Sequence, residues 1–274
     1  MSYWRLSSSK QKVIFEMSNM KFSYGIFLIL IIFTFCKKND PVDICSGFED
    51  KVYKYPDYRC MEADSLDCYQ KRLKSMLLPE QYLKCSSTDS LIRTCLLYPF
   101  LPNIWLYNSI QQGFEHVTDI FNGFDGLFTR EDANIELIKV YKEMDPEGIN
   151  DFSEPADRGR YMTQFTFIEI TLAQFQLINN LTPEETKILI KLCLDKYYDK
   201  SKIPSYSYSY EGQMSGLAIM ARILYSQDYK PFTKELMSIS DLGYFIESAD
   251  FAGVNNIEEI TQFIISNAEN YLKK

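Results

Sequence analysis

The chain has 274 residues, of which 46% are hydrophobic, and a net charge of −8 from 29 basic and 37 acidic side chains. An acidic protein repels the phosphate backbone of nucleic acids, which excludes nucleic acid as a main partner. A chain of this length can bury the core of one large domain or of two small ones.

The N-terminal segment has the features of an export signal. Lys21 precedes an apolar run over residues 22–35, and Cys36 follows this run directly. The run of about 14 residues is shorter than the roughly 20 that a membrane-spanning helix needs, and it has the size of a secretory signal. This order resembles a bacterial lipoprotein signal, which implies lipidation at Cys36. Because Phe35 is larger than the small residue usual before such a cysteine, an ordinary cleaved signal and an uncleaved anchor stay open as alternatives.

The predicted organisation follows from this signal. Without residues 1–36 the chain carries 25 basic and 36 acidic groups, a net charge of −11, so we expect a lipid rather than a charged surface to hold it at the membrane. A more typical start at Met20 means that residues 1–19 are either a misassigned start or a long basic region. The predicted segments are a signal over 1–36, with the lipoprotein-like signal at 20–36, a polar tether over 37–60, and a helical domain over 61–274 with a candidate subdivision at 145–159.

Six cysteines follow Cys36, namely Cys45, Cys60, Cys68, Cys85, Cys95 and Cys193. Cys95 and Cys193 lie in apolar helical runs, where we expect buried thiols. The other four lie where apolar residues are sparse, and one or two disulfides are expected there in an oxidising envelope, with the pairing left open. No cysteines have zinc-finger spacing and His116 is the single histidine, so we expect no metal and no cofactor.

Beyond residue 85 the apolar residues recur with the period of a helix. Thr182 as N-cap, Pro183 at the first helical position and Glu185 as the partner of a capping box mark one helix start. We expect this helix to be buried on most sides and to pair with the preceding one as an antiparallel hairpin, because the link between them is short. The predicted helices cover residues 86–98, 109–121, 129–144, 160–180, 182–200, 211–227 and 256–274.

The predicted fold class is all-α, with stacked antiparallel helical hairpins. An α-solenoid-like stack stays open as an extension of this fold, because the sequence has no clear repeat of about 30–45 residues. The alternating stretch at 204–212 predicts an extended loop or a short strand.

Residues 91–144 contain a Thr-Cys-Leu…Tyr-Pro turn, Gln-x-Gly-Phe, Phe-Asn-Gly and an Arg-x-Asp-Ala before a helix. This segment, about a fifth of the chain, resembles an uncharacterised family of Bacteroidetes secreted proteins and lipoproteins. The resemblance implies a place in the cell envelope, lipid-anchored to the outer membrane on either its periplasmic or its surface face. It implies no activity and no catalytic residue.

Glu169 is the single charged group in a helix of mostly apolar residues, and an unpaired buried carboxylate is costly. We expect an ion pair with an arginine such as Arg222, and the alternative is an acid with a raised pKa that lines a pocket. The chain has no hydrolase, nucleotide-binding or metalloprotease motif, so we identify no catalytic residue and expect a structural role for His116.

Two further features suggest surface sites. Tyr206, Tyr208 and Tyr210 could form a rim that stacks on sugars or anchors a protein. Ser65 and Ser90 each lie in an Asp-Ser-Leu tripeptide, which resembles the sites at which Bacteroidetes glycosylate envelope proteins. The predicted function is therefore a non-enzymatic envelope lipoprotein with a helical scaffold that binds a protein or peptide. The alternative is a carbohydrate-binding accessory lipoprotein, and an enzyme of unfamiliar type is the third hypothesis.

Overall fold

The computed structural model describes residues 45, 47–48, 50–57, 66–207, 211–236 and 238–274. Within these residues all regular secondary structure is helical, which confirms the predicted all-α fold, whereas the solenoid-like stacking is not confirmed. Residues 44–274 group into one compact unit. Among the described helices none is long and apolar enough to cross a membrane. The predicted signal segment with Cys36 lies outside the described residues.

The helices follow one another with short connections. Two of the helices in the described residues are 3₁₀ helices, at Leu101–Leu106 and Pro146–Asp151. The α-helices are α1 (Leu66–Ser75), α2 (Glu80–Cys85), α3 (Thr88–Leu96), α4 (Ile110–Ile120), α5 (Asn122–Phe128), α6 (Ala133–Glu143), α7 (Pro155–Leu172), α8 (Phe175–Ile178), α9 (Pro183–Ser201), α10 (Pro204–Ser207), α11 (Glu211–Ser226), α12 (Lys230–Thr233), α13 (Leu242–Ser248) and α14 (Ile257–Leu272).

Local signals set the start of α9 as predicted. The Thr182 hydroxyl accepts a hydrogen bond from the Glu185 amide at 3.2 Å, and the Glu185 carboxylate accepts one from the Thr182 amide at 2.8 Å. This capping box satisfies two amides that a helix start leaves without partners. By contrast, α7 ends at Leu172, earlier than the predicted residue 180, and the separate short helix α8 follows it.

The centre of the fold is α11, whose residues from Leu217 to Leu224 are all buried. Both α7 and α9 pack principally against α11 rather than against each other, so the predicted hairpin of these two helices is wrong. The prediction that α9 is buried on most sides is also wrong, because Ile188 and Tyr198 on this helix are exposed. The alternating stretch at 204–212 begins as the helix α10 rather than as an extended segment.

The C-terminal part of the predicted tether, from Cys45 onward, is bound to the helical body. Cys45 forms a disulfide with Cys85 at the end of α2. Further along, the Tyr53 amide donates to the Thr94 hydroxyl and the Tyr55 hydroxyl donates to the Thr94 carbonyl, each at 3.0 Å. Residues 51–57 therefore run over α3 as a strap.

The cysteines and the candidate linker also have defined places. Cys95 and Cys193 are buried free thiols, as predicted, and burial raises the pKa of both. Residues 145–159 contain the second 3₁₀ helix and the start of α7, within the single compact unit. Cys60 lies outside the described residues.

Candidate functional site

Four side chains form a buried charged centre where α6, α7, α9 and α11 meet. The Glu169 carboxylate is 1% exposed and receives the Lys200 ammonium at 2.7 and 2.8 Å. The Tyr141 hydroxyl donates to Glu169 Oε1 at 2.8 Å, and the Ser215 hydroxyl donates to Oε2 at 2.6 Å. Burial and then the charge of Glu169 raise the pKa of Tyr141. The Lys200 ammonium thus balances the charge of the carboxylate, and both carboxylate oxygens accept hydrogen bonds, which offsets the cost of burial.

The partner of Glu169 differs from the expected Arg222. The Arg222 guanidinium donates instead to the carbonyls of Ile246, Glu247 and Ala173, at 2.7, 2.8 and 3.1 Å. These carbonyls lie at the C-terminal ends of α13 and α7, where a helix has no backbone donors for its last carbonyls. Arg222 therefore joins two helix ends, and its burial is explained without a carboxylate.

Lys200 was missed because the sequence places it in a charged stretch, "DKYYDKSK". A signal was present: Lys196 and Lys200 share a helical face with Cys193 and Leu189, both of which are buried. Lys196 also lies inside, donates to the carbonyl of Met144 and has a pKa lowered by burial. The arrangement favours the structural interpretation of Glu169, since its buried neighbours already use its hydrogen-bonding capacity.

The other predicted sites are placed as follows. Tyr206 is 1% exposed, which removes it from a surface rim, and Tyr208 and Tyr210 lie outside the described residues. Ser90 is buried in α3, so it cannot serve as a glycan attachment site in the folded protein, and Ser65 lies outside the described residues. His116 is half-buried with its ring 4.7 Å from that of Tyr107, in keeping with a structural role.

A surface cleft of about 960 Å³ opens between the strap, the first 3₁₀ helix and the start of α7. We call it the Trp105 cleft. Its lining is largely apolar and includes three prolines, with one acidic and one basic side chain. The lining residues are Tyr55, Pro56, Asp57, Leu97, Pro99, Pro102, Trp105, Ala156, Gly159, Arg160, Met162 and Thr163.

The Trp105 ring has a fixed orientation in this cleft. Its indole N–H donates to the Thr163 hydroxyl at 3.3 Å, and that hydroxyl donates to the Gly159 carbonyl at 2.8 Å. The ring remains 38% exposed. A preoriented, half-exposed tryptophan is the kind of side chain that dominates binding energy in protein interfaces and that stacks on sugars.

Small residues on α7 leave space over one wall of the cleft. Ala156 and Gly159 lie there, and a methyl group on Gly159 would meet no atom within 4 Å. Arg160 lies on the same turn and pairs with Asp157 at 3.0 Å, with most of its side chain exposed. The cleft therefore combines an apolar surface with a cation at its edge. No local sequence pattern predicts this cleft, because its walls come from segments about 40–60 residues apart.

No group of three or more His, Cys, Asp or Glu side chains within the described residues is placed to hold a metal ion. No protein-family model, curated protein or solved structure matches the chain. The class that fold and site define is an all-α body with a closed, charged centre and an open, mostly apolar cleft. The resemblance of residues 91–144 to envelope lipoproteins stays a prediction.

Proposed function

We propose that the protein is a cell-envelope lipoprotein, lipidated at Cys36, whose helical body binds an apolar peptide segment of another envelope protein in the Trp105 cleft. The observation that carries this proposal is the cleft itself, with its oriented Trp105, apolar walls and space above Gly159. A cleft of this volume suits a few side chains of a partner. Binding rather than catalysis is the proposed role.

The Cys45–Cys85 disulfide supports an envelope location, because such bonds form and persist in oxidising compartments. Mass spectrometry of the mature N-terminus from a membrane fraction tests the anchor. A diacylated or triacylated Cys36 is the expected result. An unmodified N-terminus near Cys36 on a soluble protein would contradict the lipid anchor and leave a secreted binding protein.

Blocking the cleft tests the binding site. Gly159→Tyr adds a large ring in open space, so it should occlude the cleft without disturbing the fold. Gly243→Tyr is a matched control, since Gly243 also lies in a helix, α13, and a methyl group there meets no atom within 4 Å. Each protein carries a photo-crosslinking amino acid at Leu97 on the cleft wall and is irradiated on intact cells.

We expect the parent and Gly243→Tyr to crosslink to the same envelope protein and Gly159→Tyr to lose this product. An unchanged product in Gly159→Tyr would remove the cleft from the proposal. The alternative function, glycan binding, is favoured by the oriented indole face of Trp105 beside Arg160 and Asp57. It predicts no protein crosslink and a retention on immobilised envelope glycans that Gly159→Tyr abolishes.

A further inference from the structure

The first 3₁₀ helix ends in an exposed apolar tip beside the cleft. Trp105, Leu106 and Tyr107 are consecutive and are 38%, 75% and 40% exposed. We call these three residues the Trp-Leu-Tyr tip. The Leu106 side chain is the most exposed of the large hydrophobic side chains in the described part of the chain. Exposed apolar groups that lie together, rather than singly, indicate a contact with something outside the chain.

The tip lies in the longest uncharged stretch of the sequence. Residues 94–114 contain no Asp, Glu, Lys, Arg or His, although 24% of all residues are charged. Leu97 and Pro102 from the same stretch are also exposed near the tip. An acidic protein with a net charge near −11 after removal of residues 1–36 thus presents one segment that carries no charge. Such a segment brings no charge of its own to an uncharged or zwitterionic surface, and the charged side chains that line the adjoining cleft are Asp57 and Arg160.

The tether limits how far the body can stand from the bilayer. From Cys36 to the disulfide at Cys45 the chain has nine residue steps, which span at most about 32 Å. A compact unit of this size has a radius of gyration of about 17 Å, which for a sphere means a diameter of about 45 Å, so the tether is shorter than the body is wide. A body held this closely meets the lipid surface repeatedly, and a weak apolar contact is then sufficient to orient it.

We propose that the Trp-Leu-Tyr tip inserts into the interface of the bilayer that holds the lipid anchor. This inference rests on the proposed lipid attachment. Trp and Tyr are enriched at membrane interfaces because their rings combine an apolar body with a polar edge, and Leu106 adds apolar area between them. The two or three acyl chains of the proposed anchor are enough to hold the protein at the membrane, so the tip orients the body there rather than attaching it. A second copy of the chain is a poorer occupant, because two acidic bodies repel each other.

The inference also predicts where the Trp105 cleft lies relative to the bilayer. Trp105 belongs to both the tip and the cleft wall, so a tip at the lipid interface makes the cleft open beside the bilayer. The peptide segment that the cleft binds is then one that lies close to the membrane surface.

Quenching of Trp105 fluorescence by brominated lipid tests the tip. Trp105 is the single tryptophan from residue 36 onward, because the other tryptophan, Trp4, lies in the predicted signal. The lipidated protein is reconstituted into phosphatidylcholine vesicles with and without acyl-chain bromination, and only protein that floats with the vesicles is measured. Leu106→Asp is the test variant. Ile188→Asp is the matched control, because Ile188 is a 50% exposed aliphatic residue on α9.

We expect brominated lipid to quench Trp105 in the parent and in Ile188→Asp, and Leu106→Asp to reduce this quenching at least about twofold, since a carboxylate resists entry into the interface. Equal melting temperatures check that the variants are folded. Absence of quenching in the parent would overturn the inference, and so would equal quenching in Leu106→Asp. If the protein does not float, the anchor proposal has failed. The same measurement on protein held by a C-terminal histidine tag on a nickel-chelating lipid then still tests the tip.

Discussion

In most proteins charged side chains are exposed and large apolar side chains are buried. The buried charged centre and the Trp-Leu-Tyr tip each show the opposite. At the centre, Glu169 and Lys200 are 1% and 2% exposed, whereas at the tip Leu106 is 75% exposed. At the centre, the cost of burying the Glu169 carboxylate is offset within the fold, because Tyr141 and Ser215 complete its hydrogen bonds. The tip has no comparable compensation from the described part of the chain. Buried charges whose hydrogen bonds the fold completes indicate a structural role. Apolar side chains that the fold leaves exposed together indicate a contact with a partner.

Breaking the centre should give the largest effect. Lys200→Met removes the cation that the buried Glu169 carboxylate contacts, and we expect a loss of about 3–5 kcal/mol in the free energy of unfolding. Urea unfolding followed by circular dichroism measures it. Adding Glu169→Gln should recover much of the loss, because an amide needs no counter-charge and still accepts hydrogen bonds from Tyr141 or Ser215.

The control for this prediction is Lys191→Met on the same helix. Lys191 pairs with Asp195 at 2.8 Å, but both side chains are more than half exposed. Exposed pairs contribute little, so the change should stay within about 0.5 kcal/mol. A Lys200→Met effect as small as that of Lys191→Met would mean that the centre does not hold α7, α9 and α11 together.

The sequence predicted those features that depend on neighbours along the chain. The capping box at Thr182 and Glu185 needs residues three apart, and α9 begins where it was expected. The apolar face of α9 indicates that Lys200 is buried. Its pairing with Glu169 depends instead on how α7 and α9 pack around α11, which no local pattern contains. The predicted alternation at 204–212 failed for a related reason, since burial of Tyr206 comes from packing rather than from strand pairing.

The cleft also depends on packing between distant segments, so the sequence did not predict it. Trp105 lies in a run whose apolar character was visible, but the walls opposite it come from the strap and from α7. Residues 37–60 were predicted to be a polar tether, and within this range Tyr53 and Tyr55 bind Thr94. A tyrosine in a polar context gives no sign of this contact, because its hydroxyl satisfies a backbone carbonyl that only the folded body presents.

A smaller effect is expected at the edge of the centre. The Tyr206 hydroxyl is buried and finds no hydrogen-bond partner among the described residues. Tyr206→Phe removes this unsatisfied group and keeps the ring, which lies 5.5 Å from the Lys200 ammonium and packs edge-on against Phe165. We expect a gain of about 1–2 kcal/mol in the free energy of unfolding at pH 7, measured by urea unfolding. A loss of stability would mean that the hydroxyl has a partner after all.

The same variant predicts a pH dependence. Burial, followed by the charge of Glu169, raises the pKa of Tyr206 above its ordinary value of 10.0. Below pH 10 the phenol is neutral in both states, whereas above it the unfolded chain loses a proton that the folded chain keeps, so stability falls with rising pH. Tyr206→Phe removes the part of this loss in the free energy of unfolding that comes from the Tyr206 phenol, about 1.4 kcal/mol per pH unit. The gain over the parent should therefore widen from pH 10 to pH 11, and a constant gap would contradict the raised pKa.

The smallest effect is expected at the cleft. Gly159 lies within α7 with open space around it, so Gly159→Ala should raise the free energy of unfolding by about 0.5–1 kcal/mol through the higher helix propensity of alanine. Gly113→Ala is the contrasting variant, because its methyl group would lie 2.1 Å from the Ile104 carbonyl oxygen and should destabilise the packing of α4 on the first 3₁₀ helix. Thermal unfolding of both proteins measures the difference. If Gly159→Ala gains stability but loses crosslinking at Leu97, the space above α7 is part of the binding site and is retained at a cost in stability. If it gains stability and crosslinks as before, only larger side chains such as that of Gly159→Tyr reach the ligand.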